Sequence, residues 1–314
     1  MHGKISIVGC GLVGQGWATV FARAGFQVSL YDAVEGCAQD ALDGMKSRLA
    51  DLHEYDLLQG KSVDEVIQNF EVAETLEQSV EGAIYIQESG PEILEVKKTL
   101  TRQIDALAAP NTPISSSTSG FSASLFCENI KGRNRCLVVH PVNPPHLIPA
   151  VEVVPTPWTN SSCVDAVVAL MEEVGQQPIK MDKEIDGFVV NRLQGALLQE
   201  AFRLVDGGFV TASDLDKAIS YGLGLRWSFM GPFETIHLNA PGGIADYAQR
   251  YGDMYQGIAA TQIETSHWND VIAEGVAEEM TQKTSLSGIA DAQTFRDNKL
   301  MALLKHQKSL KEEV

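Results

Sequence analysis

The stretch that decides the fold is Lys4-Ile-Ser-Ile-Val-Gly9-Cys-Gly11-Leu-Val-Gly14, near the start of a 314-residue chain. A short apolar run leads directly into glycines spaced G-x-G-x-x-G, and residues 15–24 continue with helical character. A strand, a glycine turn and a helix in this order are typical of a unit that binds a dinucleotide, because the glycines let the backbone approach a pyrophosphate. We therefore expect the turn residues to contact a dinucleotide cofactor; they are Gly9, Gly11, Leu12, Val13 and Gly14.

An acidic residue indicates which dinucleotide the turn would bind. Asp32 follows the apolar run Val28-Ser-Leu-Tyr31, at the distance of about 20 residues that such units show. At the end of a second strand, its carboxylate would accept hydrogen bonds from both ribose hydroxyls of NAD and would repel the 2′-phosphate of NADP. No Arg or Lys follows directly, since the next residues are Ala33-Val-Glu35-Gly36. The sequence therefore predicts NAD as the cofactor.

Composition restricts the class of protein. The formal net charge of -17, with 44% hydrophobic and 21% charged residues, is compatible with an ordinary globular protein. The negative charge argues against a general affinity for nucleic acid or anionic membranes, although it leaves an anionic substrate possible. No apolar run is long enough to span a bilayer, and the first strand begins too early for a signal peptide.

Cysteine and histidine spacing points to neither disulfides nor metal. The five cysteines are odd in number and include no C-x-x-C pair. No cluster of His, Cys and carboxylates has the spacing of a zinc site. We therefore expect a cytoplasmic protein with reduced thiols and no bound metal.

Strands and helices alternate through the first part of the chain, which predicts an α/β fold with a doubly wound sheet of Rossmann type. The expected strands after the second one are the apolar runs at 83–86, 112–116, 136–139, 151–154 and 178–181. Before the first of these, a helical stretch over about 38–58 precedes a capping-box pattern, Ser62-Val-Asp-Glu65. This insertion is long for a simple unit, so we expect a helical hairpin that stands off the sheet.

The pattern changes near Asp186. Apolar positions recur at helical spacing from Phe188 to Leu204, which predicts a helix over 187–205 with Asp186 as its cap and the pair Gly207-Gly208 after its end. No convincing strand follows Met181. We therefore expect an NAD-binding domain over residues 1–186 and a mainly α-helical substrate-binding domain over 187–314. The length of the first apolar helix favours a homodimer that forms through this second domain.

The best candidate for proton transfer is His140, at the carboxyl end of a predicted core strand. A neutral imidazole suits this chemistry near physiological pH, and ligands in open α/β sheets bind at that edge. Glu152 lies in an apolar run beyond a proline-rich loop that could fold the chain back. Its carboxylate beside His140 would fix the tautomer and stabilise the imidazolium. A purely structural histidine at a strand end is the alternative.

With these residues the sequence resembles the 3-hydroxyacyl-CoA dehydrogenase superfamily, and within it the lambda-crystallin/L-gulonate 3-dehydrogenase branch. The resemblance covers essentially the whole chain. The segments that carry it are Ile7-Val-Gly-Cys-Gly-Leu-Val-Gly14, Ser115-Ser-Ser-Thr-Ser119, His140-Pro-Val-Asn-Pro-Pro145, Gly187-Phe-Val-Val-Asn-Arg192, Gly222-Leu-Gly-Leu-Arg-Trp227 and Gly231-Pro-Phe-Glu-Thr-Ile-His-Leu-Asn239. The resemblance implies an NAD-dependent dehydrogenase that acts on a 3-hydroxyl group.

The resemblance also implies a role for each matching residue. His140 would be the base in oxidation and the acid in reduction, and Glu152 would orient it. Ser119 would hydrogen-bond the reacting oxygen near the nicotinamide. Asn191 would contact the substrate across an interdomain cleft. From the residues alone, Ser119 could equally be a turn serine and Asn191 an inward polar residue that caps a loop.

Three further residues match positions that line the cofactor site in this superfamily. They are Glu92, Lys97 and Asn143. The residues by themselves leave simpler alternatives for two of them: Glu92 could favour the N-terminus of its helix, and Lys97 could lie on a solvated face.

One segment departs from the fatty acyl-CoA enzymes, in which the glycines run almost directly into Met-Gly-Pro-Phe-Glu. Here Arg226-Trp-Ser-Phe229 intervene. Arg226 could hold a free carboxylate through a bidentate pair, which favours a small anionic 3-hydroxy acid, such as gulonate, over a CoA thioester. An ion pair within the helical domain or across a dimer is the alternative role for Arg226.

Other functions stay open from the sequence. L-carnitine dehydrogenases share the Arg226 segment, and a 3-hydroxybutyryl-CoA type of dehydrogenase shares the superfamily. A third reading is an NADH-binding structural protein of the lambda-crystallin kind. The intact set of His140, Glu152, Ser119 and Asn191 argues against the loss of activity that this reading requires.

Asp32 makes cofactor preference a measurable property. We expect a lower Michaelis constant for NAD than for NADP, because the carboxylate hydrogen-bonds ribose hydroxyls but repels a 2′-phosphate. Initial rates measured against each cofactor at a fixed substrate concentration test this. Equal Michaelis constants would show that Asp32 does not select the cofactor.

Overall fold

The structure, a computed structural model, describes residues 3–263, 265, 268–271 and 275–312. The chain forms two compact units. The first comprises residues up to Asn191 together with those from Lys299 onward, and the second comprises Arg192–Asn298. In the described part of the chain, no helix is long and apolar enough to cross a membrane.

An eight-stranded sheet organises the first unit, with strand order β3-β2-β1-β4-β5-β6-β7-β8. Its strands are β1 Lys4–Val8, β2 Gln27–Tyr31, β3 Phe70–Val72, β4 Ala83–Glu88, β5 Ile114–Ser116, β6 Cys136–Pro141, β7 Ala150–Pro155 and β8 Gln177–Lys180. Every neighbouring pair is parallel except β6 and β7, which are antiparallel. The predicted doubly wound sheet is confirmed.

Helices cover the sheet and build the second unit. In chain order they are α1 Leu12–Ala24, α2 Cys37–Glu54, α3 Val63–Ile67, α4 Leu76–Val80, α5 Leu94–Leu107, α6 Ser124–Cys127, α7 Ser161–Glu173, α8 Val190–Asp206, α9 Ala212–Lys217, α10 Gly224–Trp227, α11 Pro232–Leu238, α12 Gly243–Thr261, α13 Trp268–Val271, α14 Ala277–Lys283 and α15 Ile289–Glu312. Among the described residues no strand follows β8, so the mainly helical character predicted for the C-terminal part is confirmed.

The insertion after Asp32 differs in part from the predicted hairpin. Helix α2 ends at Glu54 rather than near residue 58, and it buries Met45 and Leu49 in the same core as Trp17 of α1. The predicted capping box at Ser62 begins α3. Strand β3 then pairs with β2 at the edge of the sheet. The insertion therefore packs against the core instead of standing off it, because α2 has a continuous apolar face.

The first long helix of the C-terminal part begins later than predicted. Gly187 and Phe188 both have positive φ, 73° and 49°, and α8 starts only at Val190. The predicted start at Gly187, with Asp186 as its cap, is wrong because two successive left-handed residues reverse the chain first. The end of α8 at Asp206, before a glycine pair, agrees with the prediction.

Candidate active site

The antiparallel pairing of β6 and β7 places His140 directly opposite Glu152. The loop between the two strands folds the chain back, as the sequence predicts. The two side chains lie 2.7 Å apart, from the imidazole Nδ1 to the carboxylate Oε2. Both are buried. The structure therefore brings together the two residues that the sequence singled out for proton transfer.

The electrostatics of Glu152 decide the tautomer of His140. Burial by itself raises the pKa of the Glu152 carboxyl, but hydrogen bonds from His140 and from the backbone N–H groups of Val190 and Val189 outweigh it and lower the pKa. These backbone groups donate to Oε1 at 2.9 and 2.6 Å. The ionised carboxylate can only accept, so Nδ1 of His140 carries the proton. Nε2 has no hydrogen-bond partner among the residues that the structure describes.

Phe188 completes this arrangement, and the sequence analysis missed it. Its fully buried ring lies 5.5 Å from the imidazole of His140, centroid to centroid. Its left-handed backbone turns the next two N–H groups toward Glu152 at the start of α8. A bulky residue in this conformation is strained, and such strain persists only where the surroundings hold it. An apolar residue between Gly187 and a helix carries no signal that would reveal this role.

Ser119 and Asn191 lie close together in the structure. The side-chain amide of Asn191 donates to the main-chain carbonyl of Ser119 at 2.9 Å. Ser119 itself donates its backbone N–H to Glu92 Oε1 at 3.0 Å. The same oxygen accepts from the Thr118 hydroxyl at 2.6 Å and from the N–H of Gly120 at 3.1 Å. Glu92 therefore stabilises the loop that follows β5, in addition to any effect on the N-terminus of α5.

A buried ionic cluster underlies this loop. Lys97 is only 1% exposed, so it does not lie on a solvated face. Its ammonium contacts both carboxylate oxygens of Glu88, at 3.2 and 3.1 Å, and Glu92 Oε2 at 3.4 Å. Glu88 also accepts hydrogen bonds from the hydroxyl of Ser116 and the N–H of Gly90. The sequence analysis missed Glu88, although an acid that directly follows an apolar strand is a signal that a charge needs a partner.

The glycine turn has the close backbone approach that a dinucleotide requires. A Cβ on Gly14 would lie 1.9 Å from the carbonyl oxygen of Gly9, and a Cβ on Gly9 would lie 2.6 Å from the backbone of Ser89. Gly9 also has a φ of 101°. A Cβ on Gly11 would meet no atom within 4 Å, which leaves open space beside the start of α1. Leu12, the first residue of α1, is largely exposed there, and Val13 is half-buried.

A cavity of about 810 Å³ opens beside this turn. Its lining includes Gly9, Gly11, Asp32, Cys37 and Ser89. Asp32 directly follows β2, and its two carboxylate oxygens accept from the N–H groups of Cys10 and Val34 at 2.7 and 2.9 Å. These bonds fix the carboxylate at the cavity wall, where it can still accept from a ligand. The glycine cradle and the acid therefore fit a dinucleotide.

The remaining predicted residues are placed as follows. Asn143 is exposed and precedes a cis peptide bond to Pro144. Arg226 lies on α10 in the second unit, exposed, and it forms no ion pair with any residue that the structure describes. Its charge acts on the phenol of Tyr247 within the same unit.

The described residues contain neither a metal-binding group nor a disulfide bond. No group of three or more His, Cys, Asp or Glu side chains there could hold a metal ion. All five cysteines are free thiols.

Comparison with known proteins agrees with the fold and this geometry. Residues 4–185 match the family model of the 3-hydroxyacyl-CoA dehydrogenase NAD-binding domain, and residues 187–284 match that of its C-terminal domain. With a nucleotide cradle and a buried histidine–carboxylate pair on one sheet, the fold and the family match define an NAD-dependent oxidoreductase that acts on CH–OH groups. The chain belongs to the 3-hydroxyacyl-CoA dehydrogenase family.

Individual relatives cover nearly the whole chain. A lambda-crystallin homolog of Mus musculus is 40% identical over 310 residues, 97% of each chain. An L-carnitine dehydrogenase of Pseudomonas putida is 33% identical over 97% of this chain and 94% of its own. Among solved structures, the NAD+-dependent 5-formyl-3-hydroxy-2-methylpyridine 4-carboxylic acid 5-dehydrogenase is 26% identical, with a TM-score of 0.84 over 98% of this chain and 99% of that one. The resemblance to the lambda-crystallin branch is confirmed.

The Glu152 carboxylate makes stability depend on pH in a definite direction. Its folded pKa lies below the ordinary value of 4.5, so its stabilisation is present above that pH and is lost as the pH falls through the folded pKa. We expect Glu152→Gln to lower the free energy of unfolding by about 2 kcal/mol at pH 7, as for the loss of hydrogen bonds to a charged group, and by less below pH 4.5. Denaturant unfolding across pH 3–7 measures both differences.

A matched control is Glu54→Gln at the exposed end of α2. This substitution removes no buried hydrogen bond and should leave stability nearly unchanged. A constant difference between Glu152→Gln and the parent protein at every pH would contradict the ionised state that we assign to Glu152.

Proposed function

We propose that the protein oxidises the 3-hydroxyl group of a small hydroxy acid, in the manner of an L-gulonate 3-dehydrogenase. The observation that carries the proposal is the buried His140–Glu152 pair, in which Nδ1 of the imidazole contacts the carboxylate and Nε2 has no hydrogen-bond partner among the described residues. This is the state that a general base needs before it accepts a proton from an alcohol. The likeness to lambda-crystallin homologs over nearly the full chain supports the choice of substrate class.

In the proposed reaction the protein's residues handle the proton. The glycine turn and Asp32 would hold NAD, which would accept the hydride from the carbon of the 3-hydroxyl group. Nε2 of His140 takes the proton of the 3-hydroxyl group, and in the reverse direction it returns that proton. Glu152 retains the Nδ1–H hydrogen bond throughout and balances the positive charge that develops on the ring. The two backbone N–H groups at the start of α8 keep Glu152 from rotating away.

We propose that Ser119 and Asn191 bind the reacting oxygen of the substrate. The hydroxyl of Ser119 can donate to this oxygen while its backbone N–H and carbonyl hold the loop in place. Asn191 has one amide hydrogen on the Ser119 carbonyl and retains further hydrogen-bonding capacity for the substrate. Both side chains would thereby position the alcohol for proton transfer to His140.

We also propose that Glu92, Lys97 and Asn143 line the cofactor site. Glu92 is half-exposed and fixes the loop at Ser119, so we infer that it shapes the cofactor site through this loop. Lys97 is fully enclosed between two carboxylates, so we infer that it acts by positioning Glu92. Asn143 is exposed at the loop that follows β6 and is available to a ligand.

The substrate proposal rests on Arg226. Its guanidinium is exposed and has no carboxylate partner in the described second unit. The alternative of a structural ion pair within that unit therefore lacks support. We propose that Arg226 binds the carboxylate of a small 3-hydroxy acid.

Two other substrate classes remain alternatives. The family name supports a 3-hydroxyacyl-CoA substrate, and the relative of Pseudomonas putida supports L-carnitine. A non-enzymatic role of the crystallin kind would leave the His140–Glu152 arrangement without a use. Production of NADH from NAD with L-gulonate, other 3-hydroxy acids, L-carnitine and 3-hydroxybutyryl-CoA distinguishes these classes; turnover of the acyl-CoA alone would refute the proposal.

We further propose a cytoplasmic homodimer that forms through the second unit. The free thiols suit a reducing compartment. The second unit exposes many large apolar side chains, and an extensive exposed apolar surface is rare in monomeric proteins and marks an interaction site; examples are Leu193, Leu197, Phe209, Tyr221, Leu225, Phe229, Phe233 and Leu238. Sedimentation equilibrium gives the mass, and a monomer at micromolar concentration would contradict the dimer.

The role of His140 can be separated from cofactor binding. We expect His140→Gln to lower kcat by about a hundredfold or more, because an amide cannot accept the alcohol proton. NADH binding, followed by its fluorescence, should stay within about twofold because His140 does not line the cofactor cavity. As a control, His306→Gln alters an exposed histidine of α15 and should leave both values unchanged. Turnover that survives in His140→Gln would show that another group is the base.

Arg226 can be tested through the Michaelis constant. We expect Arg226→Met to raise the Michaelis constant for 3-hydroxy acids about tenfold or more, because a charge-assisted bidentate pair is lost. The Michaelis constant for NAD should not change. Arg296→Met removes an exposed arginine of the same unit and serves as the control. An unchanged constant for the acid in Arg226→Met would refute the carboxylate role.

A further inference from the structure

Two adjoining cavities lie in the first unit and share no lining residue with the cofactor cavity. The smaller, of about 350 Å³, is bounded by the end of α1, the loop between β6 and β7, and α15. The larger, of about 500 Å³, lies between the end of α2 and the same part of α15. Asp56 and Lys308 line both cavities. Nothing in the proposed dehydrogenase reaction uses this region.

The charge around these cavities is opposite to that of the whole protein. Four basic side chains line them against one carboxylate, that of Asp56. The basic residues are Arg23, Lys61, Lys305 and Lys308. Lys305 pairs with Asp56 at 2.6 Å, whereas the ammonium of Lys308 forms no hydrogen bond or ion pair with the residues that the structure describes and acts on Asp56 only through its charge. A local excess of positive charge in a chain of net charge -17 marks this place as one that attracts anions.

Arg23 is the unusual member of the group, because it is only 9% exposed. One terminal nitrogen, Nη1, donates to the carbonyl of His146 at 2.8 Å. Nε has no acceptor within the described ranges, and no carboxylate there pairs with the guanidinium. Burial lowers the pKa of Arg23 to about 10, so the side chain remains charged at neutral pH. A buried cation without a counterion is costly, and an anion in the adjoining cavity would offset that cost.

A neighbour of Arg23 is also incompletely satisfied. The Nδ1 atom of His146 is buried and lacks a hydrogen-bond partner among the described residues. Burial, together with the charges of Arg48 and Arg23, lowers the pKa of His146 to about 3. His146 is therefore neutral and able to donate or accept a hydrogen bond. A structure that needed no ligand here would be expected to pair these groups internally.

We propose that these two cavities form a binding site for a small phosphate-bearing anion. Arg23 supplies the planar donor pair that suits an oxyanion. Lys61, whose ammonium donates to the Arg23 carbonyl at 2.8 Å, and Lys308 add positive charge. A phosphate carries about -1.5 to -2 charges near neutral pH, which matches the excess of basic side chains better than a single carboxylate does. The larger cavity leaves room for the organic part of a phosphate ester.

The site would act on the loop that joins the two catalytic strands. His146 lies in that loop, between β6, which carries His140, and β7, which carries Glu152. Arg23 already holds the loop through the His146 carbonyl. An anion that pairs with Arg23 would therefore stabilise the connection behind the catalytic pair. Because the site is lined by other residues, its existence does not depend on the proposed substrate.

Binding is tested on the full chain with saturating NADH, so that the cofactor cavity is filled. Inorganic phosphate, glycerol 3-phosphate and citrate are titrated at constant ionic strength, with the dissociation constant from calorimetry and the rise in Tm as readouts. We expect saturable binding of the phosphate compounds and weaker binding of citrate. Tighter binding of the ester than of phosphate identifies an organic ligand, and equal binding identifies free phosphate. Absence of saturable binding, or preference for citrate, would overturn the proposal.

Substitutions at the site should change its affinity for phosphate in opposite directions. Arg23→Gln should weaken phosphate binding about tenfold or more, and Lys308→Gln should weaken it by up to about fivefold. Asp56→Asn removes the opposing carboxylate and should tighten binding. Lys98→Gln, an exposed lysine of α5, is the matched control and should change nothing. If Arg23→Gln does not fold, Lys308→Gln and Asp56→Asn still test the proposal. Phosphate affinities in both variants equal to that of the parent protein would refute the site.

Discussion

The antiparallel pairing of β6 and β7 is the constraint on which the candidate active site depends. It sets His140 against Glu152 across the sheet, so the pair is a product of strand register and not of a flexible loop. Glu152 then binds the first N–H groups of α8. A carboxylate is favourable at a helix N-terminus, so one side chain fixes both the imidazole and the start of the helix that carries Asn191.

The elements with a strong local signal could be predicted from the sequence. The glycine turn has a fixed spacing because backbone contacts forbid a side chain at Gly9 and Gly14, and the buried strands are continuous apolar runs. His140 and Glu152 were predictable as a pair because a charged residue inside an apolar strand needs a partner. NAD as the cofactor is confirmed by the match of residues 4–185 to an NAD-binding domain, whereas the residue roles taken from the family resemblance stay predictions.

The features that sequence reasoning missed are those that arise only from tertiary contacts. Strand β3 has three residues and is recognisable only through its pairing with β2. The left-handed backbone of Phe188 is unexpected for a bulky residue, and it persists because the ring is buried against His140. The partner of Glu88 lies nine residues away on α5, so neither charge reveals the other through helical or strand periodicity.

Two buried cationic side chains of the first unit differ in their partners. Beside the loop after β5, Lys97 lies between Glu88 and Glu92, and every charge has a partner. Behind the loop between β6 and β7, Arg23 is also buried but is paired only with a carbonyl. A paired cluster rigidifies its surroundings, whereas an unpaired buried cation destabilises the fold. A binding site for an anion would explain why Arg23 has no carboxylate partner among the described residues.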